Sequence, residues 1–259
     1  MNKKFDASTY YCNTANRTDN NAQIRISYLR AIKAKSVEID ANLNLARFLT
    51  EDKIYKQAEF RYRKASIIKP STASIYNEWA LLLYKQGILE GQEELFRKVI
   101  ELHPNSSDGL SNLGAVLIEK CKFEEAMVVL EKVLDSRPYH AMSLNNLASV
   151  YLNLGRYDKT IEKLQKALET DGDHLLAHIN LGLVESCLGK DDEAKENYKK
   201  VLDLLGENSD LKEAVLRSCK RLLNFTKEGL LGEGTDEEKR SHNERFRKAL
   251  GEFLPLLEQ

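Results

Sequence analysis

Residues 107–140 read SDGLSNLGAVLIEKCKFEEAMVVLEKVLDSRPYH, and residues 141–174 read AMSLNNLASVYLNLGRYDKTIEKLQKALETDGDH. Both stretches are 34 residues long, and their large apolar residues fall at matching positions. In each half of a stretch these residues recur three or four positions apart, which is the period of an amphipathic α-helix. Each stretch therefore predicts a pair of helices, and the pair is a repeating unit of the chain.

The repeat extends in both directions from these two stretches. Pro70, Pro104 and Pro138 are spaced by 34 residues, and Gly172 and Gly206 continue the series. Proline and glycine both end helices, so we expect each of these residues to close one repeat. The spacing defines five repeats, which span residues 39–72, 73–106, 107–140, 141–174 and 175–208.

Fixed positions of the repeat alternate between small and large residues, as close packing of two helices requires. Position 8 is alanine or glycine in every repeat, whereas position 24 is always a leucine or an aromatic residue. The residues at position 8 are Ala46, Ala80, Gly114, Ala148 and Gly182, and those at position 24 are Tyr62, Phe96, Leu130, Leu164 and Tyr198. We therefore predict an all-α protein of stacked antiparallel helix pairs.

The pattern of the repeat resembles that of the tetratricopeptide-repeat (TPR) family. The shared features are the closing proline, the small residue after a leucine or aromatic residue, and the later alanine. The resemblance covers about two thirds of the chain. It implies a right-handed superhelix whose first helices line a concave groove, and a protein that binds other proteins instead of acting as an enzyme. The chain departs from the family pattern at Gln92 and Thr160, which replace a small residue, and at Glu185, which replaces a bulky one.

The residues before the first repeat are predicted to be a polar N-terminus and a degenerate repeat, together spanning 1–38. The degenerate repeat would span 5–38, because Ile24, Tyr28 and Ala31 match the second-helix positions of the other repeats. Its opening half matches the pattern poorly.

Three segments follow the last repeat. An amphipathic helix over 209–225 is predicted to be a capping helix, since a terminal repeat otherwise exposes an apolar face. Residues 226–235 contain three glycines and are predicted to be a flexible linker. A C-terminal helix is predicted within 236–259, and we expect Pro255 to end it. The apolar stripe of this helix is expected to pack against the capping helix, with occupation of the groove as the alternative.

The composition is that of a folded, soluble protein, with 42% hydrophobic and 31% charged residues. No apolar run approaches the roughly 18–20 residues that cross a bilayer, and the N-terminus is too polar for a secretory signal. The four cysteines lie far apart in the sequence and form no CxxC pair. Reduced thiols in a cytoplasmic protein are the simplest interpretation.

The charge is distributed unevenly along the chain. Residues 1–72 contain 14 Lys and Arg and 7 Asp and Glu, whereas residues 73–259 contain 25 and 33. A basic end can meet nucleic acid or anionic lipid, but this one has no nucleic-acid motif and no interleaved aromatic residues. We interpret the asymmetry as a dipolar solvated surface, and we expect neither nucleic acid nor a membrane as a partner.

The sequence contains no recognisable group of catalytic or metal-binding residues. His174 and His178 are four residues apart, but they straddle a predicted turn, and His178 takes a packing position, so a structural role is favoured over a metal site. The glycines of the linker are not followed by Gly-Lys-Ser/Thr, which argues against a nucleotide loop. We therefore predict no catalytic residues, no metal and no cofactor.

Position 6 of the first helix is asparagine in four of the five repeats. Asparagine is a poor helix former, so its recurrence requires a reason. Its carboxamide can donate and accept a hydrogen bond, and so can pair with the backbone of a bound peptide. The column resembles the asparagine ladders of the O-linked N-acetylglucosamine transferase superhelix and of the peroxisomal import receptor. In the alternative interpretation, these asparagines cap helices or bridge neighbouring repeats.

The predicted peptide-binding residues combine positions 5 and 6 with polar residues at positions 9 and 13. They are Asn44, Arg47, Asn77, Glu78, Lys85, Asn112, Asn145, Asn146, Asn153 and Asn180. Along the repeats, the predicted groove changes from charged to apolar, which suits an extended partner segment of mixed character. No three consecutive repeats supply the Lys and Asn set with which chaperone-binding TPR domains hold a C-terminal carboxylate, so that role is not expected.

These observations predict a non-enzymatic scaffold or adaptor that binds an extended peptide in the groove. One alternative is a regulatory or substrate-targeting module of an enzyme complex, such as that of a glycosyltransferase. Another is a self-associating structural protein, in which the C-terminal helix would join copies.

Overall fold

The computed structural model describes residues 21–34, 38–229 and 231–258, and all regular secondary structure in these ranges is helical. The chain divides into two compact parts, Met1–Ser106 and Ser107–Gln259, which we call the N-terminal and C-terminal parts. The helices of the N-terminal part are α1 (Asn21–Ala34), α2 (Glu38–Glu51), α3 (Tyr55–Ile68), α4 (Ala73–Lys85) and α5 (Gln92–Leu102). Those of the C-terminal part are α6 (Ser107–Glu119), α7 (Phe123–Ser136), α8 (Ala141–Asn153), α9 (Tyr157–Thr170), α10 (Leu175–Cys187), α11 (Asp191–Leu205), α12 (Ser209–Glu228) and α13 (Asp236–Glu258).

The two helices of a repeat approach closely because position 8 has little or no side chain. A Cβ atom added to Gly182 would lie 2.5 Å from the ring of Tyr198, and one added to Gly114 would lie 2.7 Å from Cδ2 of Leu130. In both repeats the side chain at position 24 occupies the space that position 8 leaves. This contact explains why the two columns of the repeat alternate between small and large residues.

The core of the N-terminal part runs from α1 to α4. Tyr28 and Ala31 of α1 are buried against α2, in one apolar cluster with Leu45, Tyr62 and Ile75. This packing resembles the contact between successive repeats, and the degenerate repeat 5–38 remains a prediction. The predicted opening half of that repeat lies outside the described residues.

The C-terminal part ends in two helices that return along it. Helix α12 continues to Glu228, and α13 packs against both α12 and α10, with a smaller contact to α11. The prediction that Pro255 ends the last helix is wrong, because α13 continues to Glu258. The proline removes one hydrogen-bond donor next to the helix end, where few bonds remain to be lost. Burial of Leu257 helps to hold the final turn.

Among the described residues, no helix combines the length and the apolar character that crossing a membrane would require.

Candidate functional site

In the N-terminal part, three of the predicted site residues form one polar cluster. Arg47 on α2 donates from Nε and Nη2 to the two carboxylate oxygens of Glu78 on α4, over 2.8 and 2.5 Å. Its Nη1 donates to Oδ1 of Asn44 over 3.0 Å. The hydrogen bonds that Arg47 donates to Glu78 raise the pKa of Arg47. The cluster thus joins the first helices of two successive repeats and holds a half-exposed guanidinium in place.

An exposed strip on α4 continues from this cluster. Leu81, Tyr84 and Lys85 are exposed and follow Glu78 at helical spacing, so they share one side of the helix. Asn77 is half-buried on the same helix. Sequence reasoning selected Lys85 but missed Tyr84, although an aromatic residue on a first-helix surface was a usable signal. The cluster and the strip together offer charged, amide and apolar groups to a ligand.

In the C-terminal part, the asparagines connect the first helices to one another. Asn146 on α8 donates from Nδ2 to the backbone oxygen of Ser111 on α6, over 3.1 Å. Asn180 on α10 donates from Nδ2 to Oδ1 of Asn145 on α8, over 3.0 Å. Asn145 and Asn146 are buried, whereas Asn112 and Asn180 are half-buried. These bonds are the inter-repeat bridges of the alternative interpretation.

Asn153, the last predicted site residue, lies beneath the segment that joins α12 to α13. Its side chain is buried and donates to the backbone oxygen of Ser149 over 2.7 Å. Its own backbone oxygen accepts a hydrogen bond from the N–H of Gly232, also over 2.7 Å. No ligand can reach Asn153 while this segment is bound.

The segment between α12 and α13 is fixed by specific contacts, so the prediction of a flexible linker over 226–235 is wrong. Leu231 is fully buried, and its backbone oxygen accepts from Nδ2 of Asn243 over 2.7 Å. Glu233 accepts two hydrogen bonds of 2.6 Å from the guanidinium of Arg156. The glycines supply backbone conformations that other residues rarely adopt. A leucine within a glycine-rich stretch was the signal that this segment packs against something.

Helix α13 covers the first helix of the last repeat. Near its start, Nδ1 of the buried His242 lies 2.8 Å from the Tyr157 hydroxyl on α9. Near its end, the Phe253 ring stacks on Tyr198 with ring centroids 4.5 Å apart. Burial lowers the pKa of His242 and raises that of the Cys187 thiol to about 12. The C-terminal segment therefore covers the first-helix surface of α10.

The contrast between repeats is clearest at position 9. Leu81 in the repeat 73–106 is 39% exposed, whereas Leu183 in the repeat 175–208 is fully buried. At position 13, Lys85 is exposed and Cys187 is buried. The first-helix surface is thus open at α4 and covered at α10.

The histidines support helix ends. His174 accepts a hydrogen bond from the backbone N–H of Ala177, as the N-cap of α10. His178 contacts Oδ1 of Asn197 through Nδ1, over 2.8 Å, and the backbone oxygen of Gly172 through Nε2, over 3.0 Å. Within the described ranges, no three His, Cys, Asp or Glu side chains are grouped to hold a metal ion.

Comparison with known proteins identifies the repeat. Residues 139–207 match the family model described as tetratricopeptide repeat. No curated protein matches the sequence.

Several solved structures share the fold of this chain. MamA (residues 41 to the end) from Desulfovibrio magneticus RS-1 has a TM-score of 0.55 and 22% identity, with 65% of this chain and 96% of that chain covered. Pseudomonas aeruginosa PilF has a TM-score of 0.60 and 19% identity, covering 80% and 96%. YrrB, described as a TPR protein with an unusual peptide-binding site, has a TM-score of 0.51 and 19% identity, covering 72% and 96%.

At these identities the likeness to the solved structures shows the fold alone, and the family model supplies the repeat type. The small-to-large contact that Gly182 makes with Tyr198 inside the matched stretch recurs before it, between Gly114 and Leu130. Residues 139–207 are therefore tetratricopeptide repeats, and the chain shares its all-α fold with solved structures that include the TPR protein YrrB.

Proposed function

We propose that this protein is a scaffold or adaptor that binds an extended segment of a partner protein on the first helices of its N-terminal part. The observation that carries the proposal is the open first-helix surface of α4, where Leu81 and Tyr84 are exposed. The corresponding surface of α10 is covered by α13. A TPR protein with a known peptide-binding site, YrrB, shares the fold.

The proposed site has two chemically different ends. Arg47 and Asn44 supply hydrogen-bond donors, and Glu78 supplies acceptors, so this end suits backbone groups or a charged side chain of the ligand. Leu81 and Tyr84 suit an aliphatic or aromatic side chain. An extended ligand segment with an apolar residue a few positions from a polar one would match both ends.

The asparagines of the C-terminal part receive a different role in this proposal. Asn145, Asn146 and Asn180 hold successive first helices together, and Asn153 is covered by the returning chain. We assign them to the stability of the repeat stack. The ligand-binding role remains with Asn44, Arg47, Asn77, Glu78 and Lys85.

We do not propose self-association through the C-terminal helix. Its apolar stripe consists of Phe246, Leu250, Phe253 and Leu254, and all four side chains are buried within the chain. As for the compartment, we propose the cytoplasm, where Cys121, Cys187 and Cys219, which are free cysteines, stay reduced.

Selection from a phage-displayed library of random peptides tests the proposal. The full chain should enrich peptides that share a polar and an apolar position, and Arg47→Ala combined with Leu81→Asp should weaken their binding by about 10-fold to 100-fold, for the loss of about 1.4–2.8 kcal/mol. Leu211→Asp is the matched control, since Leu211 is as exposed as Leu81 but lies on α12. Equal affinity for the double variant and the control would contradict the proposed site.

A further inference from the structure

One side of the second helices has the same pattern of charged residues in four repeats and a different pattern in α1 and α3. Positions 18, 22, 26 and 29 of the repeat are spaced by four, four and three residues, so they share one face wherever the second helix includes all four. In the repeat 73–106, position 18 is Glu90, which precedes α5. In four repeats this stripe is acidic at positions 18 and 29 and lysine at position 26, and position 22 is glutamate or valine. The residues are Glu90, Glu94, Lys98 and Glu101; Glu124, Val128, Lys132 and Asp135; Asp158, Glu162, Lys166 and Glu169; and Asp192, Glu196, Lys200 and Asp203.

In those four repeats the stripe carries charged side chains at every position except Val128, and several of them form ion pairs. Lys98 lies 2.7 Å from Glu101, and Lys166 lies 3.0 Å from Glu162. Such surface pairs contribute little to stability. The stripe remains exposed to solvent, and its acidic residues outnumber its lysines.

The repeat 39–72 replaces every acidic residue of this stripe. Its four residues are Lys56, Phe60, Lys64 and Ile67. Phe60 is 50% exposed and Ile67 is 69% exposed. The Lys64 ammonium lies 5.5 Å from the centroid of the Phe60 ring, and the Arg61 guanidinium lies 5.3 Å from it. The face is thus basic, with large apolar side chains standing among the cations.

The preceding helix, α1, departs from the pattern in the same way. Counted in the degenerate repeat 5–38, its stripe consists of Ala22, Ile26, Arg30 and Lys33. All four residues are exposed, and Ile26 takes the same position as Phe60. Two successive second helices of the N-terminal part therefore carry cations and apolar residues, and no acid, on their outer stripes.

We propose that this basic–apolar face, made of the two stripes on α1 and α3, binds an anionic membrane surface. The cations would contact lipid phosphates and carboxylates, while Ile26, Phe60 and Ile67 would enter the interface between headgroups and acyl chains. A partner helix would require a continuous apolar groove, whereas these apolar residues stand singly between cations. The proposal replaces the expectation that the basic end of the chain is only a solvated surface.

The charge distribution of the whole chain supports this orientation. Residues 1–72 have twice as many basic as acidic residues, and residues 73–259 have an acidic excess. An anionic surface attracts the first region, which contains both stripes of the basic–apolar face. The open first-helix surface of α4 shares no residue with the basic–apolar face, and peptide binding there is a separate activity.

Flotation of the full chain with lipid vesicles tests the proposal. The probes are vesicles of phosphatidylcholine alone and vesicles that also contain phosphatidylserine. The wild-type protein should float with the second kind only, and less at high salt. Phe60→Glu combined with Ile67→Glu, and separately Lys64→Glu, should each weaken this binding by about tenfold or more, because each removes an anchor and adds a repelled charge.

The acidic stripes supply matched controls. Val128→Glu changes an exposed apolar residue at the position of Phe60, and Lys166→Glu changes a lysine at the position of Lys64. Both should float like the wild type, and circular dichroism should show every variant folded. Failure of the wild type to bind phosphatidylserine vesicles, or equal losses in variants and controls, would overturn the proposal. Binding of an amphipathic Leu/Glu peptide, but not of vesicles, would overturn it in favour of a protein-docking face.

Discussion

Asn180 and Asn145 are joined side chain to side chain, with Nδ2 of Asn180 donating to Oδ1 of Asn145 over 3.0 Å. The bond connects α10 to α8, and the bond from Asn146 to the backbone of Ser111 connects α8 to α6. The asparagines thus couple neighbouring repeats through polar groups at the edge of an apolar core. Stacked repeats depend on such interfaces, because each repeat contacts mainly its neighbours.

Replacing Asn146 with Ala should lower the free energy of unfolding by about 1–3 kcal/mol, since the Ser111 carbonyl and the Asn145 amide lose a buried partner. Thermal melts followed by circular dichroism measure the change. Asn224→Ala, at an exposed position on α12, is the control and should melt like the wild type. An unchanged melting temperature for Asn146→Ala would show that these bonds do not couple the repeats.

Adding one methyl group at Gly182 should destabilise the last repeat. The new Cβ would lie 2.5 Å from the Tyr198 ring, and Tyr198 is itself packed against Phe253. Overpacking of this kind costs about 1–3 kcal/mol. Gly251→Ala is the matched control: Gly251 also lies within a helix, but its Cβ would meet nothing within 4 Å. In the control, better helix propensity should raise stability by about 0.5–1 kcal/mol, so the two substitutions should shift the melting temperature in opposite directions.

Truncating Leu231 should release the C-terminal segment. Leu231→Ala removes a fully buried side chain, at an expected cost of about 2–5 kcal/mol. Hydrogen exchange should then become faster in α13 than in α6 and α7, because Leu231 also positions Asn243 of α13. Leu211→Ala, at an exposed position, should leave exchange unchanged. Uniform acceleration across the C-terminal part would mean that α13 is not a separable element.

The attachment of α13 should weaken as the pH falls. Burial lowers the pKa of His242, so the unfolded or detached segment takes up a proton more readily than the attached one. The stabilisation is complete above the unfolded pKa of about 6.5 and is lost as the pH falls through that value toward the lower folded pKa. Arg245 opposes protonation further, while the Asn153 backbone favours it.

Hydrogen exchange in α13 at neutral and mildly acidic pH checks this expectation. His242→Gln should remove most of the pH dependence in α13, whereas the wild type should exchange faster at the lower pH. His140 and His174 also have lowered pKa values, so they make overall stability depend on pH in both proteins. This shared pH dependence is the internal reference against which exchange in α13 is compared. Equal pH dependence in both proteins would exclude His242 as its source.

Contacts within the repeats were predictable from the repeating sequence pattern. Contacts that the C-terminal segment makes with the repeats were not. The contact between Gly182 and Tyr198 follows from two columns that vary together along the chain. By contrast, Arg156 and Glu233 are 77 residues apart in sequence and belong to no repeating pattern. Only the tertiary structure brings them together.

The candidate site shows a different limit of sequence reasoning. A column of asparagines at position 6 shows that an amide is needed, but a bound peptide and a neighbouring repeat present the same backbone groups to it. Asn146 meets Ser111 of the adjacent helix, which periodicity alone does not distinguish from a ligand. Asn44, at the same position, instead joins the Arg47 and Glu78 cluster.

The stacking of Phe253 on Tyr198 restricts how further helix pairs could be added to this protein. Duplication of the last helix pair would place a new first helix where α13 now lies against α10 and α11. The returning segment would have to be displaced, and Phe246, Leu250 and Phe253 would lose their packing partners. An added helix pair at this end would have to displace α13, whereas an insertion upstream of 175–208 would leave the packing of α13 in place.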